Sequence, residues 1–275
     1  MTFGIEFWGV RGSIACPSPS HIKYGGNTSC LEARVGDKRL ILDAGTGIRE
    51  LGQTFLRTGV QETFLLLTHT HWDHINGFPF FEPAYNEDCK LHIMAGHLDD
   101  NASLRDVLST QMSNPMFPVP MEAMRADLTL EDFECGETLE LIEGLKIRTG
   151  PLNHPNGATG YRLDYGGKSA CYITDTEHVP GQIDENIVKL IEGADVVIYD
   201  STYTEQEYPN HVGWGHSTWN EGVRLCQEAG AKKLVIFHHD PNHDDAFMDE
   251  IARESKEAWD ATVVAREGMD LTIGD

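Results

Sequence analysis

Thr68-His69-Thr70-His71-Trp72-Asp73-His74 decides how this chain is read. It directly follows Phe64-Leu65-Leu66-Leu67, a short apolar run bounded by polar residues, as a buried strand would be. Imidazoles and carboxylates are ligands for zinc and similar divalent ions, and catalytic sites leave a coordination position open for water. His69 and His71, two residues apart, can turn toward one ion, while Asp73 and His74 serve a second. The competing reading is a solvated loop with spare histidines. Four ligand-type residues within six, placed at the end of an apolar strand, count against it.

Outward from this segment the chain alternates between two periodicities. Toward the N-terminus, 2–8, 29–35 and 38–42 read as strands, followed by a helix over 46–57 with Ile48, Leu51, Phe55 and Leu56 on one face. Toward the C-terminus, 90–94 reads as a strand and 100–112 as a helix. A loop rich in Pro115, Pro118 and Pro120 occupies 113–121. Strands follow at 138–142, 145–149, 159–164 and 169–174. The pattern then gives helix 183–192, strand 195–199, helix 218–229, strand 233–237, helix 243–258, and strands 261–264 and 270–273. Two halves, each of strands followed by helices, suggest two sheets packed face to face with helices outside, a four-layer αββα sandwich. Periodicity alone also allows other α/β arrangements. With no internal repeat or flexible linker, a single domain over 1–275 is expected.

The motif decides between these arrangements. His69-Thr70-His71-Trp72-Asp73-His74 matches in full the H-x-H-x-D-H hallmark of the metallo-β-lactamase superfamily, which the chain resembles along most of its length. Ile41-Leu42-Asp43-Ala44-Gly45-Thr46-Gly47 looks like the early Asp-Gly motif. Pro151-Leu152-Asn153-His154 with Gly160-Tyr161-Arg162 resembles the third motif, Ile173-Thr174-Asp175-Thr176 the fourth, and Phe237-His238-His239 the fifth. The resemblance implies two divalent metal ions: zinc first, with manganese or iron also suited to such ligands. One would be held by His69, His71, His154 and Asp175, the other by Asp73, His74, Asp175 and His238, so that Asp175 bridges. His238 is taken over His239 by analogy, as the residue directly after Phe237; His239 would then support a ligand from behind. Asp43 is read as an orienter of the histidine loop, or simply as a turn residue.

This fold serves many chemistries. Gly213-Trp214-Gly215-His216-Ser217-Thr218, before helix 218–229, resembles the H-S-T segment of the superfamily's phosphodiesterase branch, which includes RNase Z and cyclic nucleotide phosphodiesterases. That implies a role for His216 beside the scissile phosphate, stabilising charge or protonating the leaving oxygen. The plainer alternative is that Ser217 or Thr218 caps the helix and His216 faces solvent. No basic Gly/Pro-rich arm of the kind RNase Z uses to grip transfer RNA is found. The insertion at 97–130 carries Asp99, Asp100, Asp106, Glu122 and Asp127 against only Arg105 and Arg125. Within it, Met112 to Val119 could wall a pocket for a nucleobase, or merely pack in the core. The glycine-rich segments Trp8-Gly9-Val10-Arg11-Gly12-Ser13 and Gly25-Gly26-Asn27-Thr28 could bring backbone N–H groups to a phosphate, though turns alone explain such glycines.

Composition fits this reading. In 275 residues, 21 Lys and Arg face 44 Asp and Glu, a net charge of −23. Such a surface opposes a polyanion, whose binding rests on basic side chains displacing phosphate counterions. Extended nucleic acid is therefore not expected, while a small anionic phosphodiester remains reachable because two metal ions would dominate the local field. No apolar run approaches the ~20 residues of a membrane span, and the first ten residues lack the basic start of a secretory signal. Cys16, Cys30, Cys89, Cys135, Cys171 and Cys226 form no C-x-x-C pair and read as reduced thiols, with Cys171 in the core. A cytoplasmic protein is expected, and the resemblance makes a homodimer plausible. Helix 243–258, rich in Asp and Glu, reads as a solvated outer face. The expected activity is metal-dependent hydrolysis of small phosphodiesters, cyclic nucleotides above all, with Asp73 and His216 as the catalytic side chains. A transfer-RNA 3′-end endonuclease, an acyl or thioester hydrolase, and a metal-containing sensor of low turnover are the alternatives.

Overall fold

A computed structural model describes residues 2–99 and 101–274 of the chain. Among the described residues, fourteen strands form two seven-stranded sheets. The first contains β1 (Phe3–Gly9), β2 (Cys30–Val35), β3 (Lys38–Leu42), β4 (Glu62–Leu67), β5 (Lys90–Ala95), β6 (Asp127–Asp132) and β14 (Asp270–Thr272), in the order β14-β1-β2-β3-β4-β5-β6. The second contains β7 (Thr138–Leu139), β8 (Leu145–Leu152), β9 (Ala158–Tyr165), β10 (Lys168–Ile173), β11 (Val196–Asp200), β12 (Leu234–Phe237) and β13 (Thr262–Val264). Its order is β13-β12-β11-β10-β9-β8-β7. In each sheet one half is antiparallel and the other parallel: β3 to β6 in the first, β10 to β13 in the second.

Strand alternation produces the layering. On β3, Leu40 and Leu42 point between the sheets and Ile41 points out; on β12, Val235 and Phe237 point in and Leu234 and Ile236 out. The inward set, with Phe7, Tyr161, Tyr172 and Ile198, forms the central core. The outward set of the first sheet is covered by α1 (Ile48–Thr58) and α3 (Leu104–Gln111). That of the second is covered by α4 (Glu185–Ile191), α5 (Trp219–Glu228) and α6 (Asp245–Ala258). The four-layer αββα sandwich is the observed architecture, in one domain. A single turn, α2 (Trp72–Ile75), carries part of the histidine motif.

Most elements lie where periodicity puts them, and the differences have local causes. Helix α1 begins at Ile48 and buries Ile48, Leu51, Gly52 and Phe55, whereas Leu56 is exposed. Helix α3 begins at Leu104 behind the Ser103 cap; Asp100 lies outside the described residues. The stretch read as an insertion over 97–130 contributes edge strand β6 at its end. Its sequence Asp127-Leu128-Thr129-Leu130-Glu131-Asp132 alternates, but the acidic residues suited to an exposed sheet edge disguise it. The last strand leaves the second half to pair with β1 through Gly4–Thr272 and Ile5–Leu271, a long-range pairing that local pattern cannot show. The six cysteines are free, and Cys171 is fully buried. Helix α6 is not simply solvated: Asp245 accepts from the Lys23 and Tyr24 backbone N–H groups, and Asp249 from Tyr24 Oη and Lys23 Nζ. Among the described residues, no helix is long and apolar enough to cross a membrane.

Candidate active site

Ligands in α/β folds gather where parallel strands end, and here both sheets deliver their strand ends to one place. Asp43 follows β3, His69 follows β4, Asp175 follows β10, Asp200 ends β11 and His238 follows β12. Asp43, Asp175 and His238 each take a left-handed backbone conformation, with φ of 62°, 60° and 62°. Few non-glycine residues do so, Asp, Asn and His most readily. The turn redirects the chain immediately after the strand and swings these side chains inward. Strain of this kind concentrates at functional sites.

Three groups of ligand atoms result. His69, His71 and His154 form one; Asp73, His74, Asp175 and His238 form the second, all four buried; Asp175, Asp200, His216 and His238 form a third that overlaps the second. Asp175 lies between the first two. Its Oδ2 is 3.6 Å from Nε2 of both His69 and His154, and its Oδ1 is 3.1 Å from His74 Nε2 and 3.2 Å from His238 Nε2. Asp73 Oδ2 is 3.3 Å from both His74 Nε2 and His238 Nε2. His239 is directed elsewhere: its Nε2 lies 2.9 Å from the Ala265 carbonyl, where it donates, and its ring packs edge-on against Tyr24. It supports no ligand in the cluster.

The partners of each ring fix which nitrogen is free. His154 donates through Nδ1 to Gly215 O at 2.8 Å, His74 through Nδ1 to Asp43 Oδ2 at 2.8 Å, and His238 through Nδ1 to Thr202 Oγ1 at 3.0 Å. In the neutral form of each ring this leaves the Nε2 lone pair facing the cluster, the arrangement in which outer partners orient a metal-binding imidazole. Without metal, burial lowers His74, but Asp175, Asp73 and Asp43 outweigh it and hold the ring well above the usual imidazole range. Asp43 also accepts from Thr68 N at 2.7 Å and from Tyr172 Oη at 2.9 Å, so it orients the histidine loop as well as shaping a turn. Ser13 N donates to Asp73 Oδ2 at 2.7 Å, and a Cβ on Gly12 would sit 2.3 Å from His238 Cε1. The first glycine-rich segment therefore braces ligands instead of offering its N–H groups to a phosphate. The second lends the Asn27 carbonyl to Val10 N and Arg11 N.

The donor set fits divalent metal ions. His69 Nε2 is buried and has no hydrogen-bond partner, although it points at Asp175. An orphaned buried acceptor of this kind is costly unless something fills its lone pair. Burial, with smaller contributions from neighbouring histidines, holds His69 well below the usual imidazole range and also lowers His71 and His154. Burial opposes ionisation of Asp73 and Asp175, but the facing histidines outweigh it, and both lie well below the usual carboxylate range. Neutral imidazoles and ionised carboxylates are the forms in which these groups bind metal.

Beside this cluster, His216 Nδ1 is 2.9 Å from Asp200 Oδ2. The ring stacks on His238 at a centroid distance of 4.9 Å and 26°. Burial pulls the His216 pKa down, but Asp200, by charge and hydrogen bond, and then Asp175 and Asp73 push it up to about 9. Thr218 caps α5 by accepting from Glu221 N, so capping and the inward His216 coexist. Asp200 was not singled out from the sequence, yet Val196-Val197-Ile198-Tyr199-Asp200 carries the same signal as the strands before Asp43 and Asp175: an apolar run ending in Asp. Thr202, which accepts from His238, and His97, whose Nε2 is 3.0 Å from Thr70 Oγ1, gave no such signal.

A family model described as "Beta-lactamase superfamily domain" matches residues 38–239. Ribonuclease Z of Haloarcula marismortui is 22% identical over 99% of this chain and 97% of its own length. The metallo-β-lactamase fold protein YhfI from Bacillus subtilis shares the fold with a TM-score of 0.75 and 17% identity, covering 98% of each chain. A diphosphatase from the PhnP family does so with a TM-score of 0.73 and 19% identity, covering 98% of this chain and 97% of that one. With the family model spanning most of the sequence and the strand-end His and Asp groups in place, the chain belongs to the beta-lactamase superfamily, as a metal-dependent hydrolase of the metallo-β-lactamase fold.

Proposed function

We propose that the protein hydrolyses small phosphodiesters, with cyclic nucleotides as the preferred class and two divalent ions, zinc first, as cofactors. The observation that carries this reading is the Asp200–His216 pair set against the ligand cluster, with His216 Nδ1 3.9 Å from Asp175 Oδ2. An imidazole held by a carboxylate at this position can serve as the acid for departure of an alkoxide from phosphorus. The similarity to a ribonuclease Z and to a PhnP-family diphosphatase supports phosphorus chemistry.

In this reading His69, His71, His154 and Asp175 hold one ion and Asp73, His74, Asp175 and His238 the other. When bound, the ions supply Lewis acidity toward phosphate oxygens and lower the pKa of water to near neutrality. Asp73, fixed by Ser13 N, orients the attacking water. His216, its Nδ1 proton engaged by Asp200, gives the proton on Nε2 to the departing ribose oxygen. Asp200 acts through His216 as a positioning residue: it favours the charged ring and fixes its tilt.

A long RNA is disfavoured by the charge of −23. The test is hydrolysis of cyclic mononucleotides, a linear phosphodiester, an RNA 3′-end precursor and a thioester by zinc- or manganese-loaded protein, with a chelated sample alongside. Chelator-sensitive cleavage of the cyclic substrates is expected. Cleavage of the linear ester or the RNA alone would keep the chemistry and remove the cyclic substrate. Thioester cleavage without phosphodiester cleavage would overturn the reading.

A further inference from the structure

Next to the ligand cluster lies a cavity of about 650 Å³. Thr70, Trp72 and Asn76 on its wall are chain neighbours of His69, His71, Asp73 and His74, which places the cavity beside the histidine loop. Phe80, Met116 and Phe117 also line it, with the Phe80 and Phe117 rings edge to face at 5.7 Å. Met116 and Phe117 line the cavity, while Met112 is buried in the core and Phe117 also packs against it, so residues 112–119 take both roles open to them from sequence. Trp72, Phe80 and Met116 are 79%, 53% and 60% exposed. Three large apolar side chains left open on one cavity indicate a binding role more than a packing one.

The polar groups on this wall narrow the occupant. Gln111 spends its amide N–H on the Ile75 carbonyl at 2.8 Å, which fixes the orientation of the side-chain amide. Its Oε1 is buried and has no hydrogen-bond partner. An unpartnered buried carbonyl oxygen calls for a donor, and Gln111 lines the cavity together with Thr70, Asn76, Asn101 and Thr110 as well as its apolar residues. Asn76, whose carbonyl accepts from Thr28 Oγ1, adds an amide donor nearby. Among the described residues the only charged side chain lining the cavity is Asp106, so the wall has no attraction for phosphate. A flat, neutral group with an N–H donor suits it.

We propose that this cavity is a nucleobase subsite, in which the base lies between Trp72 and the Phe80–Phe117 pair and donates an N–H to Gln111 Oε1. The inference rests on the phosphodiesterase reading and deepens it: the substrate is a nucleotide ester carrying a base with an amino or imino hydrogen, not a glycerol or base-free sugar phosphodiester. Sites built to pair with a donor reject an analogue lacking it far more strongly than apolar pockets reject a change of size.

The test uses zinc-loaded full-length protein and two probes without phosphate, adenosine and purine riboside, which lacks the amino group. Quenching of Trp fluorescence reads binding, and Trp72→Phe identifies the reporting ring. Adenosine should bind at least about tenfold more tightly than purine riboside, and Gln111→Leu should erase the difference. In parallel, kcat/KM for adenosine cyclic phosphate should exceed that for base-free ribose cyclic phosphate, with Gln111→Leu lowering that ratio about tenfold. Equal affinity of the two nucleosides for the wild-type protein overturns the proposal, whether or not the variant folds. So does a preference that survives Gln111→Leu. Adenosine selectivity without cleavage of any phosphodiester would overturn the phosphodiesterase reading and leave the base subsite standing. Cleavage of both cyclic phosphates at equal kcat/KM, with no adenosine selectivity, would do the reverse.

Discussion

Asp43→Asn isolates the orienting carboxylate from the ligands it serves. Asp43 Oδ1 accepts from Thr68 N at 2.7 Å, and Oδ2 accepts from His74 Nδ1 at 2.8 Å and Tyr172 Oη at 2.9 Å. An amide has one acceptor end, so its NH₂ must face either the Thr68 N–H or the His74 and Tyr172 donors. The Tyr172 hydroxyl can rotate to accept. His74 can adapt only by moving its proton to Nε2, the atom that faces Asp73, Asp175 and His238. A protonated Nε2 offers no lone pair. Disturbing the partner of a ligand imidazole costs about 10–100-fold in metal affinity, which is about 1.4–2.8 kcal/mol at 1.4 kcal/mol per factor of ten. The mispaired donor should add about 1–3 kcal/mol of destabilisation in metal-free protein. Chelator competition with stoichiometric metal analysis measures the first quantity and urea unfolding in chelator the second, while nitrogen NMR of His74 reports the tautomer. Metal affinity within twofold of wild type, with the His74 tautomer unchanged, would refute the orienting role.

Asp175→Ala should deplete both metal positions and lower hydrolysis by at least about 100-fold; near-wild-type metal content would sink the bridging assignment. His216→Ala should cut turnover by about 10²-fold or more with metal content preserved, and loss of metal there would make His216 a ligand instead. Gly12→Ala places a methyl group against the His238 ring, which should cost about 1–3 kcal/mol of stability and weaken metal binding; unchanged metal affinity would mean that the loop yields. In chelated protein, burial holds His97 down to about 4 and His239 down to about 3, and lowers His69, His71 and His154. As pH falls below about 6.5 the unfolded chain takes up protons that these groups refuse when folded. His74 and His216, shifted upward, oppose this but are fewer. Stability should therefore decline from pH 6.5 to 5, and a flat melting temperature across that range would contradict the burial of these rings as neutral groups.

The sequence by itself determined the α/β class and the heart of the ligand cluster. Both are written in short-range pattern: apolar runs of period two and 3.6, and ligand-type residues stacked at the end of β4 in His69, His71, Asp73 and His74. The four-layer arrangement, which periodicity left open, and His154, Asp175 and His238 became legible only through the order of motifs that the chain shares with a known family. Tertiary structure alone decided the rest. Which of His238 and His239 turns inward depends on the backbone reversal at φ 62° after β12, a conformation with no local signature. The pairing of β14 with β1, and of Asp200 with His216, joins residues far apart in the chain, where no periodicity reaches. The unpartnered Gln111 Oε1 is the clearest case. A glutamine on a helix is ordinarily solvated, and only the packing of α3 over Ile75 spends its amide and hides its carbonyl without a partner.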